Sequence, residues 1–355
     1  MLWAANTEPG SSGCFMESSA MNHGGPLGRA TPVLETDSTL GAGQPSDAVT
    51  ARKKIDMASA VPIGFIGTGI MGGRMAAHLL SAGHALHVHN RSRSKAEPLL
   101  AAGAVWHDSP GTLAAASDVV ITMLGLPADV DEVYFGTAAV AEGEGVIARA
   151  RPGTLLIDMT TSSPSLARRI AGTAAGHGLS SIDAPVSGGD VGARDGTLVI
   201  MAGGDPPAFD RALPILSRMG RSVTLLGAAG AGQRCKLANQ IAVAVGMVAW
   251  CEALAHARAG GLDPALVQRV IAGGAAGSWA LTNLAPRALT GDFAPGFLVR
   301  HLIKDIGIAR QCASDEGLEL PGLAIAERLY EAVAKCGWTN AGTQALYSLY
   351  AAGDG

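Results

Sequence analysis

Aromatic side chains make up only 4% of the 355 residues, and several other features are missing with them. No CxxC pair occurs among the five cysteines, Cys14, Cys235, Cys251, Cys312 and Cys336. An odd, scattered set supports neither a disulfide framework nor a metal-ligand spacing, so no metal site is expected, and the thiols fit a reduced, cytoplasmic protein. An excess of positive charge is also lacking. With 26 Lys and Arg against 30 Asp and Glu, the net charge is -4, and the basic footprint of a nucleic-acid binder is absent. The longest apolar run, Ile241 to Cys251, stops at Glu252 and is shorter than a bilayer needs, so no membrane partner is expected. The opening MLWAANTEPG has no basic region and no apolar core of a secretory signal. No internal repeat is visible. Glycine, at 48 residues, and alanine are plentiful instead, which suits close turns and tight helix packing. The length allows two domains with a sizeable core.

Residues 1–58 are rich in Gly, Ser, Thr and Pro and show no apolar periodicity, so a disordered extension is expected there. Met57 stands just before the first strand-like run, and we hypothesise that it is the natural start. The intact mass of natively expressed protein checks this, and a mass counted from Met1 refutes it.

From Val61 the pattern changes. The run VPIGFIG is a short buried strand leading into Gly67-Thr68-Gly69-Ile70-Met71-Gly72, a GxGxxG at a strand-to-helix turn. The helix that follows, 71–80, stops at Gly83, and a second strand runs over 85–89. In this order the first glycine permits a tight turn and the second lets backbone approach a pyrophosphate. The third allows close helix–strand packing, and the helix N-terminus favours the anion. Alone, GxGxxG is a weak signal in so glycine-rich a chain; the strand, helix and strand around it give it weight. The second strand ends in Asn90-Arg91-Ser92-Arg93, where an NAD-selecting fold places a carboxylate for the ribose hydroxyl. Guanidinium groups fork onto a 2′-phosphate, so NADP(H) is favoured over NAD(H). The same arginines also suit a plain solvated loop.

Strand-like runs over 119–124, 154–159, 181–184, 197–202 and 223–226 alternate with helical segments. This predicts an α/β doubly wound sheet of Rossmann type over 59–228, with some later strands antiparallel. Met123-Leu124 and Thr160-Thr161 close two of the strands at their C-terminal ends, where such sheets bind cofactors. Ser187-Gly188-Gly189 follow another in a turn rich in free amides, able to clasp a carboxylate or to be a simple loop. Beyond it, GAAGAGQRCKLANQ runs from Gly227 to Gln240. Glycine steps lead here into a long helix, about 233–259, whose first turns put Lys236, Asn239 and Gln240 on one face. An ammonium and two amides there can hold and protonate a small oxygenated substrate; three polar residues can also recur at that spacing as a solvated stripe. After Gly232 the chain reads as helical to its end, an all-α domain over 229–355 joined by the long helix. Asp263-Pro264 opens the next helix as cap and first residue.

Together GFIGTGIMGGRMA, DAPVSGGDVGARDGTLVIMAGG, GAGQRCKLANQ and KDIGIA resemble the β-hydroxyacid dehydrogenase family over residues 61 to 350. That family includes 3-hydroxyisobutyrate dehydrogenase, tartronate semialdehyde reductase and the glyoxylate/succinic semialdehyde reductases. The resemblance implies dinucleotide contacts at Gly67, Gly69, Ile70, Met71 and Gly72, and strand-end contacts at Met123, Leu124 and Thr161. It implies a substrate turn at Ser187, Gly188 and Gly189, a catalytic Lys236 with Asn239 as its supporting amide, and Lys304 near the nicotinamide. Gly125 stands where proline is common and Gln240 where Asn is frequent. The implied reaction interconverts a small carboxylate-bearing hydroxy acid and its semialdehyde, in a homodimer or homotetramer by family analogy. An imine reductase shares the fold, but such enzymes usually lack a lysine at position 236. A non-catalytic Rossmann scaffold would tend to lose that lysine too.

Overall fold

The computed structural model describes residues 61–136 and 143–351. The expected extension, residues 1–58 with Met57, lies outside the described residues. Strand β1 (Ile63–Ile66) is buried at every position, as expected of a parallel strand covered on both faces. It lies between β2 (Leu86–His89) and β4 (Val119–Thr122), followed outward by β5 (Leu155–Asp158) and β6 (Ser180–Asp183), all parallel. On the other side β3 (Val105–Trp106) pairs with β2. The later strands, β7 (Val186–Ser187), β8 (Leu198–Gly204) and β9 (Gly220–Leu225), complete the sheet in the order β3-β2-β1-β4-β5-β6-β8-β7, with β9 beside β8. As the sequence anticipates, β8 runs antiparallel to β6 and β7. The order reverses between β1 and β4, which opens the cofactor crevice at their C-terminal ends.

Two strands escape the periodicity. β3 and β7 are two residues each, too short for an alternation to register, and exist because β2 and β8 offer them open edges. Elsewhere the expected elements shift only at their ends. The first helix, α1, spans Ile70–Ser81, and Gly83 follows its cap with φ +90°. A short helix, α2 (Gly189–Asp195), follows the expected substrate turn.

The long helix α3 spans Ala231–Ala259, about 43 Å at 1.5 Å per residue. By length and composition it could cross a membrane, although its longest unbroken apolar run could not; fewer than half the residues of its most apolar stretch are buried. Its Met247, Trp250, Cys251 and Leu254 pack with Leu302, Ile306, Leu323 and Tyr330 of α5 (Val299–Asp315) and α6 (Pro321–Val333) in a second core. Between them, α4 (Pro264–Ala272) is capped as expected: the Asp263 carboxylate accepts from Ala265 N at 2.9 Å. The described sheet and helices belong to one compact unit.

One carboxylate anchors the start of α3 to the sheet. Gly230 begins α3 with φ +91°, and its amide donates to Asp183 Oδ1 at 2.7 Å, while Gln233 N donates to Oδ2 at 2.8 Å. A helix cap is thus supplied from the end of β6, about fifty residues upstream, and its negative charge faces the positive end of the helix. The approach is close because two glycines permit it. A side chain at Gly232 would meet Met201 O at 2.3 Å, and one at Gly203 would meet Gly232 N at 2.7 Å.

Candidate active site

The glycine turn after β1 divides its three glycines between two tasks. Gly67 has φ +97°, and a Cβ there would lie 2.2 Å from Met123 O; a Cβ on Gly72 would lie 1.9 Å from Gly67 O. These two are glycine because the chain packs on itself. At Gly69 nothing lies within 4 Å of the missing Cβ, so the space in front of the turn is open. Gly69 caps α1 without a side-chain hydrogen bond, which leaves the first-turn amides, with Ile70 and Met71, available to an anion. The buried Thr68 Oγ1 has no partner either. An open cradle, an uncapped helix and an unpaired hydroxyl fit a dinucleotide pyrophosphate.

At the end of β2, Asn90 is turned inward. Its Oδ1 accepts from Thr68 N at 3.2 Å and its Nδ2 donates to Ser92 O at 2.9 Å, so it braces the glycine turn. Of the two arginines, Arg93 lies over the Trp106 ring at 5.3 Å and 3.9 Å from Glu97. Arg91 and Ser92 are exposed, and no ion pair engages Arg91 among the described residues. Of the two arginines, Arg91 is therefore the one that no ion pair holds among the described residues.

On the helical side the polar face of α3 is buried rather than solvated. Lys236 is 6% exposed, and its Nζ donates to Gln240 Oε1 at 2.9 Å. Asn239 Nδ2 donates to the same oxygen at 2.8 Å. The Gln240 Nε2 donates to Asp305 Oδ2 on α5 at 2.6 Å, which fixes the amide with its oxygen towards the lysine. The amide in direct contact with Lys236 is thus Gln240, with Asn239 half-buried beside it. Lys304 links this group to the sheet: its Nζ donates to Thr161 O at 2.8 Å and lies 2.9 Å from Asp305 Oδ1, an ion pair without hydrogen-bond alignment. Burial brings the Lys236 ammonium down from 10.5 to about 8, with Asp305 opposing the shift and Lys304 adding to it. A lysine so placed holds and releases protons near neutral pH.

One member of this face has no forecast in the sequence reading. Gln233, fully buried, accepts from Ser162 N and donates to Thr160 O, both at 2.8 Å. Thr160 Oγ1 in turn accepts from Leu124 N at 2.9 Å, so Met123-Leu124 and Thr160-Thr161 are held together beside the first turn of α3. The signal was present as spacing: Gln233 lies three residues before Lys236, on the same face.

The turn expected to hold the substrate approaches the loop before α5. Gly188 (φ +134°) and Gly189 (φ +62°) turn the chain from Ser187 into α2, and a Cβ on Gly189 would approach Gly296 O at 3.8 Å. Gly296 lies three residues before α5, which carries Lys304 and Asp305. The turn thus approaches the chain that leads into the helix bearing Lys304 and Asp305, and among the described residues no hydrogen bond links it to Lys236, Asn239 or Gln240.

Fold and site define a class: an NAD(P)-dependent oxidoreductase with a Rossmann domain and a helical domain meeting at a buried lysine. The profile described as the NAD binding domain of 6-phosphogluconate dehydrogenase matches residues 62–227. Residues 230–350 match the profile for the NAD-binding of NADP-dependent 3-hydroxyisobutyrate dehydrogenase. An uncharacterized oxidoreductase of Bacillus subtilis, YkwC, is 51% identical over 288 residues, 81% of this chain and 98% of that protein. The 2-hydroxy-3-oxopropionate reductase of Escherichia coli is 39% identical over 286 residues, 81% of this chain and 94% of its own. The Mycobacterium tuberculosis 3-hydroxyisobutyrate dehydrogenase solved with L-serine superposes with a TM-score of 0.74 at 34% identity, over 81% of this chain and 98% of that one. The chain belongs to the β-hydroxyacid dehydrogenase family.

Proposed function

We propose that this enzyme reduces a small semialdehyde acid with NADPH, with Lys236 as the proton donor. The observation that carries the reading is the buried Lys236 ammonium, brought down to about 8 and aimed by Gln240. A bound nicotinamide supplies the hydride to the carbonyl carbon. The rest falls to this chain's side chains. Lys236 gives its proton to the substrate oxygen as charge develops there, and in the reverse direction it takes one from the alcohol. Gln240 holds the ammonium in place, Asn239 lies beside it to meet a substrate hydroxyl or carbonyl, and the amides of Ser187-Gly188-Gly189 grip the carboxylate. Lys304, bound to Thr161 O, would border the nicotinamide, as the family resemblance implies.

The preference for NADPH is supported by Arg91, exposed and without an ion-pair partner among the described residues, and by the absence of a carboxylate from Asn90-Arg91-Ser92. A homodimer or homotetramer is supported by Leu262, Leu266 and Val270, all more than half exposed and four residues apart along α4 and its approach, with exposed Trp279 nearby in sequence. The test is NADPH and NADH oxidation by purified protein against glyoxylate, succinic semialdehyde, tartronate semialdehyde and methylmalonate semialdehyde. Saturable turnover of one acid, with NADPH preferred, is the expected result. Cofactor binding without turnover of any of them overturns the reading in favour of an imine substrate.

A further inference from the structure

The substrate turn is tied to the cofactor helix by a contact the reaction itself does not need. Arg74 lies on α1, one turn beyond the dinucleotide glycines. Its Nη1 donates to the backbone oxygen of Asp190 at 2.5 Å and to its carboxylate Oδ2 at 3.1 Å. His78, four residues on along the same helix face, meets the carbonyls of Ala193 and Arg194 at 3.1 and 3.0 Å, so α1 holds both ends of α2. Asp190 is the residue immediately after Gly189. Its Oδ1 would lie 3.0 Å from a Cβ on Gly296, so this carboxylate is lodged where α1, the substrate turn and the loop before α5 converge.

A carboxylate beside a turn meant for a carboxylate presents a charge problem. Two like charges a few ångströms apart repel, and the repulsion grows as the site dries around a substrate. The side chains of Arg74 and Asp190 are 39% and 24% exposed, partly withdrawn from screening water. Arg194 and Arg287 also sense Asp190 electrostatically, but each is held by another partner, Asp195 and Asp292 respectively. Among the described residues Arg74 is the guanidinium in direct contact with Asp190.

We propose that Arg74 is a specificity-determining positioning residue: by neutralising Asp190 and pinning the turn, it lets Ser187-Gly188-Gly189 accept an anionic rather than a neutral substrate. The inference rests on the reading of that turn as the carboxylate grip. It also places selection of the anion on the helix that carries the cofactor turn, since the same α1 begins at Gly69.

The experiment compares KM for the best of the four aldehyde acids with KM for its methyl ester, in wild type, Arg74→Met, Arg74→Lys, Asp190→Asn and the Arg74→Met/Asp190→Asn pair. Arg74→Met is expected to raise KM for the acid by roughly tenfold, in line with one uncompensated charge at a half-exposed site, and to leave KM for the ester within about twofold. Arg74→Lys should fall between, because it keeps the charge and loses the two-point hold. Asp190→Asn should lower KM for the acid, and the pair should return it to within about threefold of wild type. A merely structural role for Arg74 would move acid and ester alike and leave the double variant unrescued, which overturns the proposal. Wild-type enzyme that does not distinguish acid from ester overturns the carboxylate grip itself. Protein inert to all four acids removes that reading and this inference together.

Discussion

The two sides of the crevice solve the same problem with opposite materials. On the sheet side the site is made of backbone: Gly67 and Gly72 let the chain fold within 2.2 Å and 1.9 Å of where a side chain would begin, and Gly69 leaves the front open. On the helical side it is made of buried polar side chains, Lys236, Gln240 and Asp305, joined by bonds of 2.6 to 2.9 Å. A backbone cradle tolerates almost no change in its packed glycines yet has little to titrate. A buried side-chain network tolerates changes of shape better, and every member of it carries or orients charge. The comparison teaches where each kind of mutation should register: packing lesions in affinity and folding, charge lesions in rate and pH dependence.

The sharpest break lies on the charged side. Lys236→Ala should cut turnover by about a thousandfold, the scale of a lost general acid, while NADPH still quenches or enhances fluorescence with unchanged affinity. Retained turnover would remove the lysine from the mechanism. Next comes a pair on the backbone side. Gly72→Ala must displace backbone at Gly67 and should lower NADPH affinity by about a hundredfold and the melting temperature with it. Gly69→Ala meets nothing within 4 Å and has φ -69°, so the protein should fold normally and lose about tenfold in cofactor affinity. Equal effects from the two substitutions would contradict the division of labour between them.

The pH profile sharpens the other side. In the proposed reduction Lys236 acts in its protonated form, so the rate should fall as pH rises through about 8, and oxidation of the hydroxy acid should rise over the same range. Asp305 holds the lysine's proton affinity up against burial, and Lys304 pushes it down. Asp305→Asn keeps an acceptor for Gln240 and removes the charge, so the basic limb of the reduction profile should move to lower pH. Lys304→Met should move that limb upward, by less, because Lys304 acts on the Lys236 ammonium more weakly than Asp305 does. Limbs that stay in place in both variants would show that another group sets the profile.

Much of this was legible in the chain before any coordinates. GxGxxG between a strand and a helix located the cradle, because the demand for glycine there is local: φ +97° at Gly67 follows from the turn itself. Lys236, Asn239 and Gln240 were visible as one helix face for the same reason. Which of the two amides meets the lysine was not. Spacing puts both amides on the lysine face and the family resemblance points to Asn239 as the supporting one, and the structure puts Gln240 in contact with both Lys236 and Asp305. The choice depends on α5 packing across α3, a contact between residues 65 positions apart. Asp183 as the cap of α3 and Arg74 on Asp190 were invisible for the same reason, and the spacing that puts Gln233 on the lysine face gave no sign of its tie to Thr160 and Ser162.

What the sequence determined by itself was each local conformation: buried parallel strands from continuous apolar runs, glycines where backbone must turn or touch, and one helix face bearing the lysine. The tertiary structure alone decided which of those polar groups are dry and which are paired. Hydrogen bonding and burial depend on atoms brought from distant elements, whereas periodicity records only the nearest neighbours along the chain. The proton affinity of Lys236 is a property of that long-range enclosure.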